Sequence, residues 1–433
     1  MSEFHTLVTA VLDGTATPEQ QRQLADHLRA DAVLRAEYVT QMRLDAWLRF
    51  TNGAAVKEKP VAVPNRPRFR MNRIMAAAAA FLMMGVTALW WSNRGVEVEI
   101  VQSSGDAAQE WSAGEQVRLG HLKMTKGHVQ MRLTSGVLLD VAAPVEMQFV
   151  NAMHVRVSFG QVTADVGERG KGFIVDTAQT QVVDLGTKFG VDVAQSGHTD
   201  IVVFQGEVEL FDHKTKRTQN TPMTKLVEGE AVRVDARQQM SRIVNVTSAA
   251  STAEWSTRGS DDTSVIASVH DNLRDPGAKN YYRIISGGLR EDARAFVGMR
   301  HEWNGLTADG IPAELLDADL VQTVAKDRIL TALEITVTVS RPSVLYVLFD
   351  SRDATPAWLK ETFTDTGARI GLENAPLLES GHAVGIGPGA GNMAPFAVWK
   401  RELPRPGSIT LGPPRDHPDQ RLLWMYGIAA KPL

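Results

Sequence analysis

The sequence predicts a multi-domain protein: a small all-α head, one membrane-crossing helix, an all-β domain of solenoid or sandwich type, and a C-terminal β-sandwich. Three observations predict it. Apolar residues recur at helical spacing over residues 1–50. A run of 20 residues without charge, Ile74 to Asn93, follows. From Val96 onward the apolar period changes from 3.6 to 2 and glycines punctuate short strands. With 433 residues the chain has room for two to four domains.

The head, residues 1–50, starts with a helix carrying Leu7, Val8, Val11 and Leu12, ended by Asp13-Gly14. Thr17-Pro18-Glu19-Gln20 is a helix start: Thr17 as N-cap, Pro18 at the first helical position, and Gln20 placed to close a capping box. Leu24 and Leu28 continue one face. Asp31 opens a third helix with Leu34, Tyr38 and Met42 aligned, and Leu44, Trp47 and Leu48 widen the stripe. About 50 residues make a marginal core. The stripe Leu24, Leu28, Leu34, Tyr38 and Trp47 is therefore either this unit's own core or a surface completed by a partner protein.

Residues 51–73 form a linker rich in Pro and Arg, with Pro60, Pro64 and Pro67 blocking helix. The uncharged span, residues 74–93, would be roughly 30 Å long as a helix, one bilayer hydrocarbon core. Arg66, Arg68, Arg70 and Arg73 precede it, whereas Arg94, Glu97 and Glu99 follow. The positive-inside rule then places the N-terminus in the cytoplasm and the C-terminal domains outside, with Trp90 and Trp91 at the outer interface. The expected location is the inner (cytoplasmic) membrane, crossed once, with the C-terminal domains periplasmic. A buried Ala-rich core helix is the alternative.

Charge follows this division. Lys+Arg 46 against Asp+Glu 50 gives a net charge of -4, yet residues 1–73 carry 11 basic and 8 acidic side chains, and the rest carry 35 and 42. A dedicated nucleic-acid binder would be basic throughout, so no direct nucleic-acid contact is expected. Cys 0 excludes disulfides, thiol nucleophiles and cysteine-held zinc.

In the middle region, residues 95–235, Val96, Val98 and Ile100 alternate with Glu97 and Glu99, and Val155, Val157 and Phe159 alternate with Arg156 and Ser158. Further strands are expected at 137–141, 173–175, 202–204, 208–210 and 232–234. Here the residues resemble a known family. Phe173-Ile-Val-Asp-Thr-Ala, leading to Asp184-Leu-Gly-Thr-Lys-Phe-Gly-Val-Asp-Val, resembles the signature of the FecR domain. Val203-Phe-Gln-Gly-Glu-Val-Glu-Leu210 and Leu226-Val-Glu-Gly-Glu-Ala-Val-Arg-Val234 follow in that family's order, across about residues 98–235. Within the motif, Gly186 suits a turn needing positive φ, and Thr187 could bond the turned backbone. These are structural residues.

The layout of helical head, single span and exported β domain also resembles FecR-type regulators, and Asp13-Gly14-Thr15 before Thr17-Pro18-Glu19 resembles the heads of planctomycete-type members. The resemblance implies that the head binds an extracytoplasmic-function sigma factor and that the outer domain receives an envelope signal. The His-x3-Cys-x2-Cys motif of zinc-containing anti-sigma factors is absent, because the chain has no Cys.

Residues 236–280 are polar and read as a connector with some helix. From about Tyr281 to the C-terminus strands resume, most clearly at 330–339 and 344–349. The run Asp350-Ser-Arg-Asp353, Pro356-Ala-Trp358-Leu and Phe363-Thr-Asp365-Thr-Gly367, together with His301-Glu-Trp303-Asn-Gly-Leu306, resembles a β-sandwich module that accompanies FecR domains and occurs in secreted polysaccharide-related proteins. Two readings stay open. Trp303 or Trp358 could stack on a sugar with Asp350, Asp353 or Asp365 bonding its hydroxyls, making a glycan or an outer-envelope protein the external partner. Alternatively both tryptophans are sandwich core.

No HExxH, GxSxG or Walker A motif occurs. Gly385-Ile-Gly-Pro-Gly-Ala-Gly391 lacks the Lys-Ser/Thr of a phosphate loop and reads as a surface loop. Neither enzymatic activity nor a cofactor is expected. The sequence thus points to a membrane signal transducer; an anchored carbohydrate-binding module without a sigma partner is the alternative.

Overall fold

The computed structural model describes residues 3–12, 15–31, 34, 38–39, 95–212, 221–250, 254–259, 264–274, 277–374, 387–390, 394–419 and 424–433. It divides into two compact units, Met1–Phe81 and Leu82–Leu433. The expected span, residues 74–93, lies outside the described residues, as does most of the expected third helix. Among the described residues no helix is long and apolar enough to cross a membrane.

In the first unit, α1 (Glu3–Leu12) and α2 (Pro18–Ala30) form as the sequence predicts. The capping box is complete: Gln20 N donates to Thr17 Oγ1 at 3.3 Å, and Thr17 N donates to Gln20 Oε1 at 2.9 Å. Phe4, Leu7, Val8 and Leu24 make a small buried cluster, with Val11, Leu28, Leu34 and Tyr38 packed at its edge.

The second unit is almost entirely β and has two lobes. The N-terminal lobe is built on a 14-stranded, mainly antiparallel sheet. Its strands show the expected alternation: in Val96–Ser103, Val96, Val98 and Ile100 are buried while Glu97 and Glu99 are exposed. The sheet forks at its long strand His154–Asp165. One edge of that strand pairs with Leu138–Asn151. The other edge pairs first with Ile174–Asp176, in parallel, then with Lys188–Val193, antiparallel. The fork lies at Gly160, where φ is +100° and a Cβ would come within 2.5 Å of the Pro144 carbonyl oxygen. Only glycine fits that bend. The apolar faces of these strands share one core running from Val96 to Val234.

The C-terminal lobe contains an 11-stranded sheet and a three-stranded sheet of Ile266–Asp271, Ile335–Val339 and Gly407–Leu411. Residues from both sheets fill one core, as in a β-sandwich. Two expectations need correction. The described residues of 236–280, expected as a connector with some helix, instead supply the strands Met240–Arg242, Asn245–Ala249, Trp255–Ser256 and Ile266–Asp271. These strands are short and polar, and they are held by their partners; Asn245–Ala249 runs parallel to Tyr282–Leu289. Likewise 330–339 is a strand only from Ile335, because Ala325–Ile329 is a 3-10 turn.

Candidate functional site

The family signature builds a buried turn. Asp184 ends the strand Thr180–Asp184 with no exposed surface, and its carboxylate accepts from Gly186 N and from Thr187 N, each at 2.7 Å. This corrects the expected role of Thr187: its hydroxyl is buried without a hydrogen-bond partner among the described residues, and Asp184 holds the turned backbone instead. Thr187 packs by its methyl group, since a Cβ on Gly206 would lie 2.6 Å from Thr187 Cγ2. The Leu-Gly-Thr turn therefore nests under the Gln-Gly turn that starts the next hairpin. Burial pushes the Asp184 carboxyl up to about 6 despite its two backbone donors. At the other end of the motif, Thr177 Oγ1 accepts from Thr180 N at 3.1 Å and donates to the Thr180 carbonyl at 2.9 Å. Asp184 and Thr177 thus hold the two loops of the motif.

The lobes meet on Trp255. Its indole lies against Gly190, where a Cβ would come within 2.3 Å of Cζ2, and its Nε1 donates to Thr163 Oγ1 at 2.9 Å. Gln161 Nε2 donates to the Trp255 carbonyl at 2.7 Å, and Phe204 meets the indole edge-on at 5.8 Å. Arg233 binds Asp200 with two bonds of 2.7 Å, and Arg258 Nη2 reaches Asp192 at 2.9 Å. Arg294 of the C-terminal lobe pairs with Glu228 at 3.1 Å.

Beside Trp255 opens a cleft of about 430 Å³ lined by Asp140, Lys188, Phe204, Trp255, Arg283 and Arg294, among others. Arg283 stands over the Phe204 ring, 5.1 Å from its centroid, and its Nε has no hydrogen-bond partner among the described residues. Burial pulls its pKa down. Asp140 and Asp165 share the lining with these basic groups, so the cleft suits a strongly polar molecule with an apolar face for Phe204. Sequence reading missed this cleft because its lining comes from residues 130 to 294.

The residues proposed for sugar binding are placed differently. Trp303 is fully buried, edge-on to Phe396 at 4.9 Å, so it cannot be a stacking platform. Trp358 is partly buried between Phe363 and Tyr426, and its Nε1 donates to the Pro413 carbonyl at 2.8 Å. Asp350 is 2% exposed and takes a two-pronged pair from Arg352, at 2.9 and 2.6 Å. Asp365 pairs with Arg369 at 2.9 Å. The sandwich core claims Trp303 and Asp350, whereas Asp365 stays exposed beside Arg369 and Trp358 is packed on both sides by aromatic rings. In the head, Leu24 is buried in the unit's own core, with Leu28, Leu34 and Tyr38 at its edge, while Trp47 lies outside the described residues.

Among the described residues one group could hold a metal ion: Asp292, Glu302 and Glu373, each offering an oxygen within 4.8 Å of the others. Burial, with Asp292 adding to it, pushes the Glu302 carboxyl up to about 7. Glu302 and Glu373 are far apart in the chain, and only strand pairing unites them.

Comparison with known proteins bears on the N-terminal lobe. No curated protein matches the chain. Two crystal structures of a candidate anti-sigma factor from Parabacteroides distasonis align at 23% identity, each covering 28% of this chain and 58% of theirs, with TM-score 0.24. A β-glucuronidase of glycoside hydrolase family 2 aligns over 78% of this chain and 38% of its own at 12% identity, TM-score 0.27. The chain thus spans little more than half the length of the anti-sigma factor structures it matches. Residues 121–209 match the family described as FecR protein, and the signature turn that rests on Asp184 and Gly186 lies within that stretch.

Proposed function

We propose that the chain is a single-pass signal transducer of the inner membrane. Its N-terminal head binds an extracytoplasmic-function sigma factor in the cytoplasm, and its β lobes, outside, receive an envelope signal. The FecR match at residues 121–209 carries this reading, and the sequence order of helical head, uncharged span and β lobes supports it. The cleft between the lobes, with Arg283 beside Phe204 and carboxylates in its lining, is the place for a small polar ligand to bias the outer domains. The polar residues of the signature turn are spent on the fold, which favours binding and signalling over catalysis.

A single helix transmits bending poorly, so the signal would pass through assembly, proteolytic exposure or release of the head. The test is a pull-down with residues 1–55 as bait. Retention of a co-encoded sigma factor is expected, and failure to retain any sigma factor from the same cell would sink the proposal. The alternative, an anchored carbohydrate-binding module, loses its proposed platform at Trp303 and its ligand at Asp350, both in the sandwich interior.

A further inference from the structure

We propose that Asp292, Glu302 and Glu373 form a calcium-binding site at the edge of the C-terminal sandwich. Two strands build it. His301–Asn304 pairs antiparallel with Thr364–Asn374, placing Glu302 directly opposite Glu373. Like charges in that position repel. Both side chains are also withdrawn from water, Glu302 at 4% exposure and Glu373 at 1%. Asn304, two residues along on the same face, joins the group: its Nδ2 donates to Asp292 Oδ1 at 3.1 Å and to Glu373 Oε1. Asp292 sits in a turn at φ +61°, fixed by Asp292 N donating to Asn304 Oδ1 at 2.7 Å and by Gly387 N donating to its Oδ1 at 2.9 Å.

What points to a ligand is the pair of oxygens left over. Glu302 Oε2 and Glu373 Oε2 are buried and have no hydrogen-bond partner among the described residues. A buried carboxylate oxygen without a donor is costly unless a cation or proton meets it. Arg294 is the cation across the strand pair from Glu302, but its Nη1 is engaged by Glu228 at 3.1 Å. Glu291, also near, spends its two oxygens on Gly305 N and Ile311 N. Three carboxylates therefore face a site with little positive charge of its own.

Oxygen-only donors select a hard cation. The converging oxygens lie within 4.8 Å of one another, inside the roughly 5 Å between opposite ligands of a calcium ion with Ca–O near 2.4 Å. Magnesium prefers a tighter shell and keeps several waters, which two nearly buried glutamates leave little room for. A bound calcium ion would tie the turn at Asp292 to the sheet edge.

The full chain in detergent, stripped with chelator, is titrated with calcium chloride up to about 10 mM, above the weakest range of extracellular calcium modules. One saturable site is expected, with magnesium binding at least tenfold more weakly and calcium raising the unfolding midpoint. Glu302→Gln and Glu373→Gln should each weaken binding at least tenfold. Asp292→Asn, which tolerates positive φ and lies nearer the surface, should do the same, and it keeps the test informative if a glutamate variant fails to fold. Absence of saturable binding overturns the proposal and leaves a shared proton as the tenant of the pair. Binding that persists unchanged in the variants overturns it too, because the ion is then elsewhere.

Discussion

Replacing Asp184 with Asn tests whether the FecR signature turn is held by a buried carboxylate. The group ordinarily titrates near 3.8 and is pushed up to about 6 by burial, with Asp165 adding to the rise and Lys171 opposing it. The folded chain therefore binds this proton more tightly than the unfolded chain. Stability from the group is complete below pH 3.8, falls as pH rises through about 6, and is flat above. At about 1.4 kcal/mol per pH unit, the whole window is worth about 3 kcal/mol and the part between pH 4.5 and 7.5 about 2 kcal/mol. The amide of the variant cannot titrate. It accepts one of the two backbone bonds and turns an N–H donor toward the other, leaving a buried N–H unpaired at a cost of about 1–3 kcal/mol. The variant should therefore be the less stable protein at pH 4.5, and its deficit should shrink by about 2 kcal/mol, or reverse, at pH 7.5. Hydrogen exchange of peptides covering 180–193, corrected for intrinsic rates, reads the opening free energy of this lobe. Groups away from Asp184 titrate alike in both proteins, so the difference reports Asp184 together with its neighbours Asp165 and Lys171. Parallel pH profiles would refute the reasoning.

Three further outcomes follow from the packing. Trp255→Ala removes the indole that seats the C-terminal lobe on Gly190 and Thr163, and should cost about 3–5 kcal/mol, read as a lower urea midpoint with new proteolytic cleavage between the lobes; unchanged cleavage would count against Trp255 as the seat. Arg242→Ala strips the fully buried Asp271 of a 2.9 Å partner, leaving Arg274 at 3.1 Å as its remaining guanidinium, and should cost up to about 3–5 kcal/mol in the C-terminal lobe's thermal stability. Burial raises the Asp271 pKa while Arg242 and Arg274 more than offset this, so the stability the group lends is present above its ordinary value of 3.8 and fades as pH falls through the lowered folded value; the loss should be larger at pH 7 than in acid. Thr17→Ala opens the capping box of α2 and should reduce the head's stability by about 1 kcal/mol by circular dichroism; no change would mean that the cap is redundant.

Local signals decided how much could be read in advance. The capping box at Thr17-Pro18-Glu19-Gln20 is complete within four residues, so the start of α2 is legible without any tertiary partner. The alternation Val96-Glu97-Val98-Glu99-Ile100 likewise states which face is buried before the partner strand is known. Residues 236–280 were illegible for the converse reason: Asn245–Ala249 is a strand because Tyr282–Leu289 lies alongside it, and its own residues carry little period. The tryptophans show a third case. Trp303 offers the same chemistry to a sugar or to a core, and only the ring of Phe396 at 4.9 Å decides for the core.

The sequence by itself determined the helical head, the uncharged span, the switch to β structure and the family signature, because each is carried by residues close together in the chain. It could also place Gly186 at a turn. Only the tertiary structure decided that Asp184 and not Thr187 ties that turn, that the lobes meet on Trp255, and that Glu302 faces Glu373 across two strands. The Asp184 turn is local, but the sequence leaves open which of its two polar side chains does the tying; the other two arrangements depend on register between distant segments, and a one-residue slip would send each side chain to the opposite face.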